Sequence, residues 1–308
     1  MTGSGQSHNF LDDKTNTGKG IVIMDRNTTK YKVKQYIMFA GISTVLFAAV
    51  VIIPFIYGLY LTFTSWDGIS KDKQFVGFAN YIATFKDIAY WQALGRTVIY
   101  SVISVVLVNV VAFFLAYLLT SGIKGQNFFR AGFFIPNLIG GIVLGYIWQL
   151  IFNGILAKYS TALALNQWLG FWGLIILVSW QQIGYMMIIY IAGLQSIPGE
   201  VMEAAQIDGA NSWQCLWKVT IPMMMPSITI CTFLSITNGF KLFDQNLSLT
   251  AGEPSKLSEM MALNIYNTFY GRSGWEGVGQ AKAVIFFVIV VAIGLIQLRA
   301  TRSKEVQQ

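Results

Sequence analysis

The sequence predicts an all-α integral membrane protein with six transmembrane helices. Composition is the first reason: 55% of the 308 residues are hydrophobic, only 11% are charged, and the mean hydropathy is positive. Soluble domains carry about 25% charged residues, so this chain has too little charge to cover a water-facing surface. The second reason is how the charges are spaced. Uncharged runs of 32 residues (between Lys34 and Asp67), 27 (Arg96 to Lys124), 27 (Arg130 to Lys158), 41 (Tyr159 to Gly199), 22 (Lys218 to Lys241) and 16 (Lys282 to Arg299) follow one another. A membrane-crossing helix needs roughly 20 apolar residues. The third reason is that none of these runs alternates apolar and polar residues, as strands of a membrane barrel would.

Residues 1–35 are polar and read as a cytoplasmic tail, mobile or amphipathic, with no cleavable signal. Gly18-Lys19-Gly20 hints at a phosphate loop, but Asp13 stands where its first glycine belongs and no Ser or Thr follows the lysine. The membrane domain is expected over 36–298. Its first three helices occupy the first three runs, and the fourth is placed from about Trp172 to Leu194 within the long fourth run. The fifth fills the run after Lys218. The sixth is short unless Gln280 and Ala281 extend it, with Lys282 snorkelling or facing protein. Residues 299–308 form a second tail. With both termini cytoplasmic, the inner segments carry twelve basic residues and the outer loops six, which is the orientation the positive-inside rule favours. The net charge of +7 is read as topology, because the basic residues do not gather on one face as nucleic-acid binding requires.

Catalysis and metal binding have little to work with. The single histidine, His8, lies in the tail, and two cysteines, Cys215 and Cys231, fall on the cytoplasmic side and in a membrane helix. His-based triads, metal centres and disulfides are therefore not expected. A transporter coupled to protons or sodium calls for intramembrane acids, and the interiors of the six spans hold none.

The most informative segment joins helices four and five, from Gln195 to Pro222. Pro198 suits the first turn of a short helix, and Glu200 favours its positive N-terminal end. Gly209 permits the sharp break that ends it, and Asn211 with Gln214 can cap a second short helix. Pro222 marks entry into the next span. Ala204 and Ala205 give the first helix a face with almost no side chain, against which another protein can pack closely.

This segment resembles the permease subunits of bacterial ABC importers. Their loop carries Glu-Ala-Ala, three residues, Gly, nine residues, then Ile-x-Leu-Pro; here Glu203-Ala204-Ala205, Gly209, Val219, Ile221 and Pro222 fall at those spacings. Ala192-Gly193-Leu194-Gln195 and Ile207-Asp208-Gly209-Ala210 are similar to the carbohydrate, maltose-transporter-like branch. The likeness extends to Phe75–Tyr81 before helix two, to Arg130 and Phe134-Ile135-Pro136 opening helix three, and to Phe240–Asp244 closing helix five. It covers about Tyr36 to Leu298 and departs at Thr250-Ala251-Gly252-Glu253-Pro254, where relatives carry Thr-Gly-Gly-Pro. A receptor or purely structural membrane protein leaves the loop unexplained.

The resemblance implies a non-catalytic permease in a bacterial inner or plasma membrane. Its implied partners are a second permease, usually a different related chain, two ATPase subunits that bind ATP and Mg, and an extracytoplasmic solute-binding protein that delivers a sugar. Glu203, Ala204, Ala205, Asp208, Gly209, Ala210 and Pro222 would then meet the ATPase. It also implies a substrate cavity between helices four and five, where Gln181, Gln182, Tyr185, Ser235, Asn238 and Gly239 supply amides, hydroxyls and an aromatic face suited to a sugar. The plainer alternative is that these polar groups bond helix to helix. Lys241 and Asp244, three apart, are expected to form a helix-end ion pair, and Gly141 and Gly145 a small-residue step for helix packing.

Overall fold

The computed structural model describes residues 29–69 and 73–302. The expectations placed on His8, on Gly18-Lys19-Gly20 and on the tails up to residue 28 and beyond 302 lie outside these. The chain divides into two units, Met1–Phe55 and Ile56–Gln308. The described part of the first unit is helical: α1 (Thr29–Phe47) and a π-helical turn (Ala48–Ile52), after which α2 (Ile53–Leu61) begins.

The second unit continues with α3 (Ala79–Lys86) and α4 (Ile88–Thr120), then α5 (Gln126–Phe134), α6 (Gly141–Leu156) and α7 (Gln167–Gln195). The loop helices α8 (Gly199–Ile207) and α9 (Ser212–Cys215) follow, then α10 (Ile221–Met223), α11 (Met225–Phe240), α12 (Asp244–Leu249), α13 (Met261–Gly271) and α14 (Glu276–Arg302). Five stretches are long and apolar enough to cross a membrane: Gln35–Leu61, Ile88–Thr120, Gly141–Tyr159, Gln167–Gln195 and Glu276–Arg302. The pair Ser212–Met223 and Met225–Phe240, bent by 69° at Met224, makes the sixth.

Several boundaries differ from the sequence reading: α4 already starts at Ile88, before Arg96, and α7 at Gln167 rather than about Trp172. Helix three does not open at Phe134-Ile135-Pro136: α5 ends at Phe134, a 3-10 turn runs Ile135–Leu138, and the span itself starts at Gly141. Pro136 lacks an N–H, and Gly140 is extended, so the chain re-enters the helix only after both. Lys241 and Asp244 do not pair. Lys241 is the C-cap of α11 and Asp244 the first residue of α12, and the break at Phe243 (φ −123, ψ −61) removes the helical spacing the pair needs.

The core forms around α7, the most buried span at 67% of its apolar window, against 28% for α4 and 17% for α14. One cluster joins Tyr100 of α4, Leu144 of α6, and Phe171, Leu174, Leu177 and Val178 of α7 to Leu249 and Met260. A second, toward the α8–α9 end, joins Val108, Ala112 and Ala116 of α4 to Met186, Met187 and Tyr190 of α7 and to Met224 and Cys231. Asp87 caps α4 by accepting from Ala89 N at 3.0 Å, and Asn166 caps α7 by accepting from Trp168 N at 2.9 Å. Glycine sets the closest approaches. Gly184 of α7 lies against the backbone of Phe133, whose carbonyl oxygen fills the space a side chain needs. Gly141 and Gly145 of α6 admit Asp244, Gln245 and Ser248 of α12, which makes the small-residue step a packing device.

At the end of the bundle opposite the α8–α9 loop sits a buried polar knot. Lys282 of α14 is fully buried and donates to Asp87 Oδ2 (2.7 Å), Asn264 Oδ1 (3.0 Å) and Thr268 Oγ1 (2.7 Å). So Lys282 faces protein rather than snorkelling. Glu259, also fully buried, accepts from Asn264 (2.8 Å) and Asn267 (2.5 Å). Burial alone would raise the Asp87 carboxyl. The Lys282 hydrogen bond and charge, the Ala89 N–H and nearby Arg272 outweigh it and hold Asp87 below the usual carboxylate range.

Candidate functional site

The segment between α7 and α11 folds as two short helices over a glycine. Pro198 is the residue immediately before α8 rather than inside its first turn, and Glu200 lies in that turn. α8 ends in a Schellman motif: Ala210 N donates to Ala205 O and Gly209 N to Gln206 O, both at 3.0 Å. Gly209 carries φ +80, the left-handed conformation this motif demands. Asn211 and Gln214 then form a reciprocal capping box, each side chain bonding the other's backbone N–H at 2.9 Å, and α9 starts.

The outcome is a hydrogen-bonded helical pair with an apolar surface. Ile207 is 85% exposed, Trp213 68% and Trp217 54%, the two indoles packed edge to face at 5.6 Å. Glu203, Ala204, Asp208 and Gly209 are exposed, while Ala205, Ala210 and Pro222 are half-buried. Large apolar groups exposed beside small ones on an ordered loop mark a contact surface.

The polar residues of the spans do not all serve one site. On α7, Gln181 is engaged by protein: its Nε2 donates to Ile139 O (3.0 Å) and its Oε1 accepts from Gln245 Nε2 (2.7 Å). Its neighbour Gln182 is buried, and its Oε1 has no partner. Tyr185, one turn further, is exposed. On α11, Ser235 is buried and accepts from Asn109 Nδ2 of α4 at 3.0 Å. Gly239 lies against Ser101 of α4, too close for a side chain. Asn238 is half-buried, with its side chain free of protein partners. The structure therefore places Gln182, Tyr185 and Asn238 with unused polar capacity, and Gln181, Ser235 and Gly239 in contacts between helices.

Sequence reasoning passed over Asn109, Tyr190 and Gln245. A signal for Asn109 existed, since it is the lone amide in the uncharged run from Thr97 to Ile123.

Residues 108–303 match the family of binding-protein-dependent transport system inner membrane components. The chain belongs to this family. It is 44% identical over 280 residues to the probable starch degradation products transport system permease protein of Thermoanaerobacterium thermosulfurigenes, covering 88% of this chain and 95% of that one. It is 32% identical over 262 residues to the multiple sugar-binding transport system permease protein of Streptococcus mutans, covering 82% and 90%. In fold it is similar to a chain of the crystal structure of a bacterial alginate ABC transporter with its periplasmic protein. The TM-score is 0.74 at 17% identity, covering 91% of this chain and 98% of that one. As a family member, the chain is a membrane-spanning permease component of a binding-protein-dependent importer, a transport subunit rather than an enzyme.

Proposed function

We propose that this chain is the permease through which a sugar or oligosaccharide, delivered by an extracytoplasmic binding protein, crosses a bacterial inner membrane. In this reading the chain pairs with a different, related permease. Two ATPase subunits, which bind the ATP and Mg, dock on the loop over 195–222, and both termini are cytoplasmic. The observation that carries the reading is the loop: a glycine-broken helical pair, locked by a Schellman motif and a capping box, with Ile207, Trp213 and Trp217 exposed on its surface. A projection of this kind can fill a cleft on a second protein. Movement of that cleft on ATP binding is then transmitted directly into α7 and α11, which the loop joins. Coupling follows if the docked loop favours one arrangement of the spans over the other.

For the cargo, the support is chemical and comparative. Gln182 and Asn238 offer unpartnered amides and Tyr185 an exposed phenol, groups that can match the hydroxyls and ring faces of a sugar. Curated relatives carry names for starch products and multiple sugars. The test is reconstitution of the complex in vesicles with ATP inside and labelled maltotriose plus the binding protein outside. ATP-dependent uptake is the expected result. ATP hydrolysis without uptake of maltotriose or any other sugar offered would refute the cargo, and failure of any ATPase to copurify would refute the importer assembly.

A further inference from the structure

Three helices of the permease are joined by one side chain. Asn109 of α4 donates through Nδ2 to Ser235 Oγ of α11 (3.0 Å) and to Val105 O (2.7 Å), and its Oδ1 accepts from Tyr190 OH of α7 (2.7 Å). Both amide hydrogens and the carbonyl are used. The partners are set by packing: Tyr190 is 2% exposed and edge-on to Phe113 at 5.7 Å, and Ser235 is 1% exposed. One turn along α11, Gly239 presses on Ser101 of the same α4. Ser235 and Gly239, four apart, thus form the ridge by which α11 lies on α4. Asn238, three residues from Ser235, is displaced about 60° around the helix from that ridge. Of Ser235, Thr237 and Asn238, it is the one left without a protein partner.

We propose that Asn109 is a positioning residue of the translocation path: its clasp on Ser235 and Tyr190 fixes the rotation of α11 against α4 and α7 and so aims Asn238 toward the cargo. This rests on the sugar-permease reading above and adds to it a residue on a third helix that need not touch the sugar. The clasp accounts for the buried serine, which is held by α4 and unavailable to a ligand. It also accounts for a saturated amide in an otherwise aliphatic stretch. A hydrophobic residue there would leave the Ser235–Gly239 ridge as the sole restraint on the rotation of α11 against α4, with no directional bond to hold it.

The test compares near-isosteric variants. Asn109→Leu keeps the number and branching of side-chain heavy atoms, and removes all three hydrogen bonds. Asn109→Asp keeps acceptors for the Tyr190 hydroxyl and for a Ser235 hydroxyl turned to donate, but loses the donor to Val105 O. Two readouts are taken on the complete complex. The first is the labelling rate of the thiol introduced by Asn238→Cys with a water-soluble maleimide, in the presence of native Cys215 and Cys231, which are buried. The second is maltotriose taken up per ATP hydrolysed. Asn109→Leu is expected to change the labelling rate and, in the chain with native Asn238, to lower the sugar-to-ATP ratio, each by roughly fivefold, the scale of one net hydrogen bond. Asn109→Asp is expected to recover part of both. Should Asn109→Leu fail to assemble, Tyr190→Phe, which deletes one hydroxyl and keeps the ring, is expected to shift both readouts in the same direction. Unchanged labelling in the assembled variant, whichever it is, overturns the proposal. Altered labelling with wild-type sugar-to-ATP ratio overturns its functional half. Absence of uptake by the unaltered complex overturns the sugar reading instead, while labelling still decides whether Asn109 sets the rotation of α11.

Discussion

Replacing Lys282 by Met should loosen the end of the bundle that carries α12 and α13 while leaving the α8–α9 loop intact. The ammonium is fully buried and donates to Asp87, Asn264 and Thr268, so it joins α14 to the N-cap of α4 and to α13. Methionine fills nearly the same volume, and little cavity is created. What remains is the Asp87 carboxylate, 11% exposed, with Ala89 N at 3.0 Å and Arg272 at a distant 3.8 Å. Removing one partner of a buried ion pair costs about 3–5 kcal/mol, most of it from the charge left behind. The second substitution in the cycle, Asp87→Asn, removes that charge, so the double variant Asp87→Asn with Lys282→Met should regain roughly half of the loss. The assay is thermal unfolding of the purified permease complex in detergent for both singles and the double. Additive effects, or a Lys282→Met variant within about 1 kcal/mol of the parent, would refute the reasoning.

Other outcomes follow from the same structure. Gly184→Val should disrupt assembly, since a side chain there runs into the Phe133 carbonyl oxygen and backbone cannot yield cheaply; overpacking costs about 1–3 kcal/mol or more, read as loss of the monodisperse complex on size exclusion. Gln182→Ala and Asn238→Ala should each lower uptake by roughly 2- to 10-fold, the equivalent of about 0.5–1.5 kcal/mol, with ATP hydrolysis and assembly preserved; normal uptake by both at limiting sugar would show them to be packing groups. Asp87 has its carboxyl held below the ordinary 3.8. Its contribution is therefore complete above that value and lost only as pH falls through the lower folded one. Stability attributable to Asp87 should be flat from pH 8 to pH 5, and a loss specific to the Asp87 variants' parent between those values would contradict the assignment.

Much of this was legible from residues alone. The spans are visible because lipid requires long uncharged runs, and the loop because Gly209, Asn211 and Gln214 each have a backbone chemistry that only certain turns use. Tertiary contacts decide the rest. Whether Gln181 faces cargo or the Ile139 carbonyl depends on where the 3-10 turn after α5 lies, and no periodicity encodes that. Ser235, Asn238 and Gly239 share one span, and the sequence leaves open for each of them a place at a cavity or a contact between helices. Around the helix Asn238 lies about 60° from Ser235 and about 100° from Gly239, which separates a packed ridge from a free amide. Lys241 and Asp244 had ion-pair spacing only as long as the helix continued, and it stops between them.

The central claim is that the loop over 195–222 transmits ATP-driven movement into the spans, and Gly209→Val tests it most directly. At φ +80 a side chain costs about 1–2 kcal/mol. Among the described residues, its two chain neighbours apart, no atom lies within 4 Å of the added Cβ, so the spans themselves should be undisturbed. The measurement is ATPase copurification followed by ATP-dependent maltotriose uptake in vesicles, with Glu203→Lys, a charge reversal on the same projection, measured alongside. Both variants are predicted to insert normally and either to lose the ATPase or to hydrolyse ATP without matching uptake. Full ATPase retention together with wild-type uptake in both would reduce the loop to a linker and contradict the account.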